Sequence, residues 1–306
     1  MDAAHQPARR DRLLIPSAYL QQWSFSAPWP DPRQIEQDLI ISRAICDLFS
    51  ADELQGKIAF RGGTAIHKLL FPQPLRYSED IDLVQVEPGG IGPLVDSIRR
   101  SLSWLGPCQR KQRGHSMHLQ FEFSPEAEPA AKLRLKVEIN TREHANLLGL
   151  RRYAFAVTND WYDGKTAVTS FEPEELFATK FHALLQRDKN RDLFDLGQGM
   201  RQLKLDAANV VRCFEHYLSR NKTSITRAVA EQRMLHKLTA SLTEDIAPLL
   251  PNGVTFDSND ALQAFETVWQ QLVARLRGAH WKLTDQAVAE LRLRYPTLLT
   301  SNFQRN

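Results

Sequence analysis

The sequence predicts an α+β protein in which a strand-and-helix half is followed by a mostly helical half. Three observations carry that expectation. In "KLRLKVEIN", Leu133, Leu135, Val137 and Ile139 alternate with Lys132, Arg134, Lys136 and Glu138, the period-2 signature of a half-buried strand. In "RQIEQDLIISRAICDLF", Ile35, Leu39, Ile40 and Ala44 recur at helical spacing. After about residue 165 the strand signals stop, and "EPEELFATKFHALLQR" and "RDLFDLGQGMRQL" begin a run of helical patterns.

In chain order, residues 1–30 are rich in Pro, Trp and Arg and read as an irregular arm packed on the body. Asp31 and Pro32 then form an N-cap followed by the first helical residue, with Gln34 in the capping-box position. "KIAF" reads as a short strand and "GGTAIHKLLF" as a turn entering a helix. "DIDLVQV" is a strand, "IGPLVDSIRRSLSWL" a helix, and "MHLQFEF" and "KLRLKVEIN" are strands. The expected organisation is an arm at 1–30, an α/β domain at 31–165 and a helical domain at 166–306.

Composition narrows the class. Of the 306 residues, 42% are hydrophobic and 25% charged, the balance of a globular chain with a sizeable core. A net charge of +3 permits a nucleic-acid partner without demanding one. Cys46, Cys108 and Cys213 are far apart and lack C-x-x-C spacing, so they read as free thiols of a reducing compartment. No apolar run reaches signal-peptide or membrane-span length, and a cytoplasmic protein is expected.

The chemistry concentrates in "FRGGTAIHKLLFPQPLRYSEDIDLVQV". Asp80 and Asp82 stand two apart on a strand, so they share one face while Ile81 and Leu83 take the other. Two like charges so close need compensation, and a divalent cation supplies it. Glu138 lies on the polar face of its own strand; if the two strands are neighbours, three carboxylates converge. Paired metal ions held by such carboxylates are a device for in-line phosphoryl or nucleotidyl transfer, and Mg²⁺ suits oxygen ligands and substrate phosphates. Gly62 and Gly63 let a backbone approach a triphosphate, with the N–H groups of the following helix and the Thr64 hydroxyl beside it. Neither G-x-x-x-x-G-K-[ST] nor H-R-D and D-F-G occurs, which excludes P-loop and protein-kinase sites.

Taken together, "RGGTAIHKLL…RYSEDIDL", "LKVEIN" and "EELFATKFHALLQRDKNRDLFDL" resemble the AbiEii/AbiGii toxin family of nucleotidyltransferases, within the DNA polymerase β-like superfamily. The resemblance covers roughly residues 57–200. It implies a polymerase β-like domain with a small mixed sheet, followed by the helical domain. It implies a metal-dependent nucleotidyltransferase toxin of a toxin–antitoxin or phage-defence (abortive infection) module, with two Mg²⁺ ions (Mn²⁺ as a substitute), an NTP substrate and a cognate antitoxin from a neighbouring gene. Some relatives extend tRNA acceptor ends and so block translation, which makes tRNA the expected acceptor. Asp80 and Asp82 match the metal carboxylates, Glu138 the third carboxylate, Lys180 a later lysine, and Asp192 or Asp195 a later aspartate. The second glycine is followed by Thr64 where the family pattern has serine.

Each assignment has a plainer reading beside it. Lys180, expected to meet the triphosphate, also suits the surface of an amphipathic helix, and Asp192 a helix start. Asp192 and Asp195 are three apart, so both can face one side of a helix. Arg76 and Arg187 either bind phosphate or form ordinary ion pairs. His67 reads as a packed helix residue; His115 and His118 lack a further ligand nearby; Trp161, Trp269 and Trp281 read as packing residues. Arg220, Lys222, Arg227, Arg233 and Lys237, against a single Glu231, form a basic run that either contacts RNA or is a solvated face. The alternatives to RNA transfer are nucleotidyl transfer to a protein or a small molecule such as an antibiotic, and an inactive NTP-binding protein.

Overall fold

A computed structural model describes residues 15–126, 128 and 130–299. Its helices are α1 (Ser17–Trp23), α2 (Pro32–Ser50), α3 (Gly62–Leu69), α4 (Ile91–Ser101), α5 (Pro173–Gln186), α6 (Asn190–Gln202), α7 (Ala207–Arg220), α8 (Arg227–Lys237), α9 (Ser258–Gln271) and α10 (Thr284–Leu291). Its strands are β1 (Ile58–Arg61), β2 (Asp80–Gln85), β3 (Cys108–Arg113), β4 (Ser116–Phe123), β5 (Leu133–Asn140), β6 (Leu150–Asn159) and β7 (Tyr162–Phe171). They form one seven-stranded sheet in the order β3-β4-β5-β2-β1-β7-β6. The fold is mixed α+β, as expected from the sequence.

The chain divides into two compact units that a single cut in the sequence does not separate. The first comprises the described part of Met1–Phe60 with Tyr77–His144 and Arg152–Thr169; the second comprises Arg61–Arg76, Ala145–Arg151 and the described part of Ser170–Asn306. The stretch after β1 therefore belongs with the helical unit, which the contiguous division near residue 165 did not anticipate. Of the expected N-terminal arm, residues 1–14 lie outside the described residues. The remainder contains α1, and Ile15, Trp23, Ala27 and Trp29 are buried.

In the first unit, β2 pairs with β5 in parallel and β4 pairs antiparallel with both β3 and β5. Ile81, Leu83, Leu119, Phe121, Leu135, Val137 and Ile139 are buried, as strict alternation requires. Helix α2 packs against β2 and β5 and contributes Leu39, Ile40, Ala44, Ile45 and Leu48 to the core. It starts where the sequence signals it: Asp31 is the N-cap, its side chain accepts from the Arg33 N–H at 2.9 Å, and Pro32 follows. Strand β3, "CQRKQR", is exposed along nearly its whole length and sits at the sheet edge, where basic side chains discourage further pairing.

In the second unit, α5, α6, α7 and α9 bury Phe177, Phe181, Phe194, Phe214 and Phe265. Gly197 in α6 lets α9 approach closely, because a Cβ there would collide with the Ala264 methyl. Buried Glu231 ties α8 to the start of α10. It pairs with Arg227 at 2.9 Å and accepts from the Trp281 N–H at 2.9 Å and the Thr284 hydroxyl at 2.7 Å. All three cysteines are free thiols. Among the described residues no helix is long and apolar enough to cross a membrane.

Candidate active site

The acid face arises directly from strand register. In the parallel β2–β5 pair, Asp80 lies opposite Lys136 and Asp82 opposite Glu138. Across the antiparallel β4–β5 pair, His118 lies opposite Glu138. Register partners point to the same side of a sheet, so Asp80, Asp82, Lys136, Glu138 and His118 share the face opposite Ile81, Leu83, Val137 and Ile139. The neighbourhood of β2 and β5, on which the convergence of three carboxylates depended, is thus present.

Lys136 was missed as a site residue, although the alternation that exposes Glu138 also exposes the lysine two positions before it. Its Nζ lies 3.0 Å from Glu138 Oε2 and 3.7 Å from Asp80 Oδ2, and His118 Nδ1 lies 3.7 Å from Glu138 Oε2. Burial acts to raise the Glu138 carboxyl pKa, but the Lys136 ammonium, a Ser116 hydrogen bond and His118 hold it below the ordinary value. Burial acts to lower the Lys136 ammonium, and Asp80, Glu138 and Asp82 overcome it, leaving the pKa raised. Both groups are charged at neutral pH.

The donor set is all oxygen and lies on one face, and the ammonium held there shows that the position stabilises a positive charge. In type these residues suit a hard divalent cation. Their side-chain arrangement is not itself a coordination shell: among the described residues no three His, Cys, Asp or Glu groups stand close enough to hold a metal ion.

The glycine turn has the expected local form. Helix α3 begins at Gly62, whose φ of +82° is a conformation that glycine alone adopts without strain. Arg61 is its N-cap and gives no side-chain hydrogen bond to the helix start. Thr64 is buried in the first turn.

The later lysine and aspartates form a separate cluster within the second unit. Lys180 Nζ lies 2.9 Å from Asp195 Oδ2 and 3.2 Å from Asp192 Oδ1, so the three-residue spacing on α6 does turn both carboxylates to one side. Arg76 grips Asp195 through two parallel bonds of 2.6 Å, from Nε to Oδ1 and from Nη2 to Oδ2. Arg187 donates to Asp192 at 2.7 and 3.0 Å. His67 Nδ1 accepts from the Leu75 N–H, so its proton sits on Nε2, which donates to Asp195 at 2.9 Å. His67, Arg76, Lys180, Asp192 and Asp195 are all buried, whereas the Arg187 side chain is half-exposed.

Burial acts to raise the Asp195 carboxyl, yet Arg76, Lys180 and His67 hold it well below the usual carboxylate range. Burial pushes the His67 pKa down to about 4, so the imidazole is neutral at physiological pH. Of the two readings open for Arg76 and Arg187, the structure shows ion pairs. Asp192 does stand in the first turn of α6, as a helix-start acid, and its oxygens go to Lys180 and Arg187.

With fold and geometry in place, comparison with known proteins is decisive. The family model of the nucleotidyl transferase AbiEii toxin, of type IV toxin–antitoxin systems, matches residues 43–280. The chain belongs to this family. It is therefore a nucleotidyltransferase toxin of the type IV class, and the sequence resemblance and the enzyme class both hold. Its fold is similar to that of MenT4, a nucleotidyltransferase toxin of Mycobacterium tuberculosis, with a TM-score of 0.61 and 16% identity over 93% of this chain and 99% of that one. JHP933 from Helicobacter pylori aligns with a TM-score of 0.49 and 14% identity over 87% of this chain and 99% of that one. No curated protein sequence matches.

In this AbiEii-family chain the basic run is partly absorbed by the fold. Arg227 pairs with buried Glu231. Lys237 is buried and donates to the Arg187 carbonyl at 2.7 Å and to Asp188 at 3.0 Å. Arg233 is exposed and donates to the Leu185 carbonyl at 2.9 Å. Arg220 and Lys222 are exposed. The five residues thus form no single solvated stripe, because the helix packing consumes Arg227 and Lys237. A cleft of about 720 Å³ within this unit is lined by Arg187, Arg233, His236, Lys237, Trp281 and Glu290, among others.

Proposed function

We propose that this toxin transfers a nucleotide from an NTP to RNA, at the 3′ end of tRNA, and blocks translation in the cytoplasm until its antitoxin intervenes. One observation carries the catalytic part: Asp82 and Glu138 are direct register partners on one sheet face, with Asp80 on the same face. A divalent ion bound there supplies Lewis-acid polarisation of the phosphate and a template for in-line attack. Asp80, Asp82 and Glu138 are the groups that would hold it, and Mg²⁺ fits their oxygen chemistry.

Glu138, kept ionised by its neighbours, can accept a proton or offer a ligand oxygen where the acceptor hydroxyl is activated. Gly62 and Gly63 offer backbone N–H groups at the start of α3 to the triphosphate, with the helix dipole favouring the anion. Lys180 takes a different role from a triphosphate contact: committed to Asp192 and Asp195, it is a positioning residue that fixes α5 against α6. For RNA, exposed Arg220, Lys222 and Arg233 are the members of the basic run placed to meet a phosphate backbone.

The test is incubation of the purified protein with each labelled NTP, Mg²⁺ and total RNA, followed by a denaturing gel and a protein gel. Label at tRNA size, dependent on Asp82, is the expected result. Label confined to a protein or small-molecule fraction would refute RNA as the acceptor while leaving nucleotidyl transfer intact.

A further inference from the structure

We propose that Lys136 is the resident counter-ion of the acid face, and that a divalent cation binds there by displacing its ammonium. The inference rests on the reading of Asp80, Asp82 and Glu138 as the metal-holding residues.

Register fixes the Lys136 backbone directly beside Asp80, and sequence places it two residues before Glu138. Its head group bridges the two carboxylates, at 3.0 Å and 3.7 Å, rather than extending into solvent. A small hard cation needs carboxylate oxygens at about 2.0–2.1 Å, with its own shell of water or phosphate around it. An ammonium hydrogen-bonded to Glu138 Oε2 occupies lone pairs that such a shell would use, and it repels the incoming ion. The two cations therefore compete for one position.

The lysine is suited to yield. Its flexible four-carbon stem can carry the charge out to water without moving the strand, which a rigid guanidinium fork in a bidentate grip would not allow. Withdrawing the ammonium makes the face one unit more negative, which favours the incoming divalent ion. Lys136 thus lets the acid face fold and persist without metal, and it weakens metal binding in return. The ion still binds the carboxylates alone, more weakly, and the additional ligands that a nucleotide triphosphate brings strengthen its hold.

The experiment is Mn²⁺ binding to the full chain without nucleotide, followed by electron paramagnetic resonance and calorimetry, with thermal unfolding run in parallel. Lys136→Met and Lys136→Gln should each bind Mn²⁺ about tenfold more tightly than wild type, the scale expected for removing one unit charge beside a half-exposed site. Lys136→Arg, which keeps the charge, should bind no tighter than wild type, and Asp82→Asn should abolish the signal. Without metal the two neutral variants should unfold at a lower temperature than wild type, and Mn²⁺ should raise their midpoints more. Neutral variants that bind Mn²⁺ no tighter than wild type overturn the role of Lys136 and leave the metal reading standing. Absence of any Asp82-dependent binding, in wild type and variants alike, overturns the metal reading and this inference with it.

Discussion

On the sheet face of the first unit, three carboxylates meet one ammonium and remain partly open to water. Inside the second unit, two carboxylates meet three cations and a neutral histidine, with only Arg187 substantially exposed. Residue types are shared, and the balance is reversed. In the interior cluster every carboxylate oxygen is claimed by a donor within the fold, as buried charge demands. On the sheet face Lys136 lies beside two of the three carboxylates, and the groups stay partly open to water. The first arrangement suits the ligand site proposed above, and the second suits a clamp between helices. The motif lysine and aspartates of the helical half thus pair with one another in the interior, whereas the paired aspartates of the sheet stand on a partly open face.

The sharpest way to break this comparison is to remove one carboxylate from each cluster. Asp82→Ala should reduce nucleotide transfer by about a thousandfold or more. Its urea midpoint should stay level or rise slightly, because clustered like charges repel. Asp195→Ala should instead lower the unfolding free energy by about 3–5 kcal/mol, since buried Arg76 would lose its two-bond grip on a carboxylate and Lys180 one of its two. Parallel urea titrations and transfer assays on the two proteins decide the matter; an Asp195→Ala protein as stable as wild type would contradict the clamp.

Acid titration sharpens it further. His67 is held neutral, with its pKa moved from the ordinary 6.5 down to about 4 by burial. Below pH 6.5 the unfolded chain takes up a proton that the folded chain refuses until about pH 4. Stability is therefore full above 6.5 and declines through that window, by up to about 1.4 kcal/mol per pH unit. His67→Gln should remove this component of the slope, read from urea midpoints between pH 7.5 and 4.5.

Glu36, buried on α2 in the first unit, behaves oppositely. Its carboxylate oxygens accept the Glu126 N–H at 2.9 and 3.1 Å, yet burial pushes its pKa from 4.5 up to about 7. There the folded chain takes the proton first, so stability grows as pH falls from 7 toward 4.5. Glu36→Gln should abolish that gain, and above pH 8 should stabilise α2 by on the order of 1 kcal/mol after allowance for solvent screening. Hydrogen exchange of the α2 amides at pH 6 and 8 measures it; an exchange pattern in the variant that keeps the wild-type pH dependence would assign the gain elsewhere.

How far these features were legible depends on how local their causes are. Period-2 alternation announced β4 and β5, and with it the face that carries Glu138. The cap at Asp31 and Pro32 announced α2. Alternation cannot say which strands are neighbours, so the meeting of Asp82 with Glu138 awaited the parallel register. Lys136 was visible in the same pattern and was passed over because attention followed carboxylates. Strand β3 carries almost no buried side chain and so no pattern to read. Strands β6 and β7 were not distinguished, and α1 was hidden in a stretch read as an arm. The buried cluster could not be foreseen as such: Asp195 lies 128 residues after His67 and 119 after Arg76, and nothing in their spacing pairs them. The basic run was read from charge alone, and charge does not show that Arg227 and Lys237 are spent within the helices.

The parallel pairing of β2 with β5 bears on when this toxin can become harmful. A helix, α4, and a hairpin, the β3–β4 pair, intervene between the strands that carry Asp82 and Glu138. A parallel partner cannot be reached by a tight turn, so the pairing is a non-local, slowly closed contact. A slip of one residue would also send Glu138 to the apolar side and Val137 to the acid side. A chain emerging from the ribosome therefore holds no assembled carboxylate set until β5 has docked in the correct register. Synthesis itself imposes a delay before the product can act.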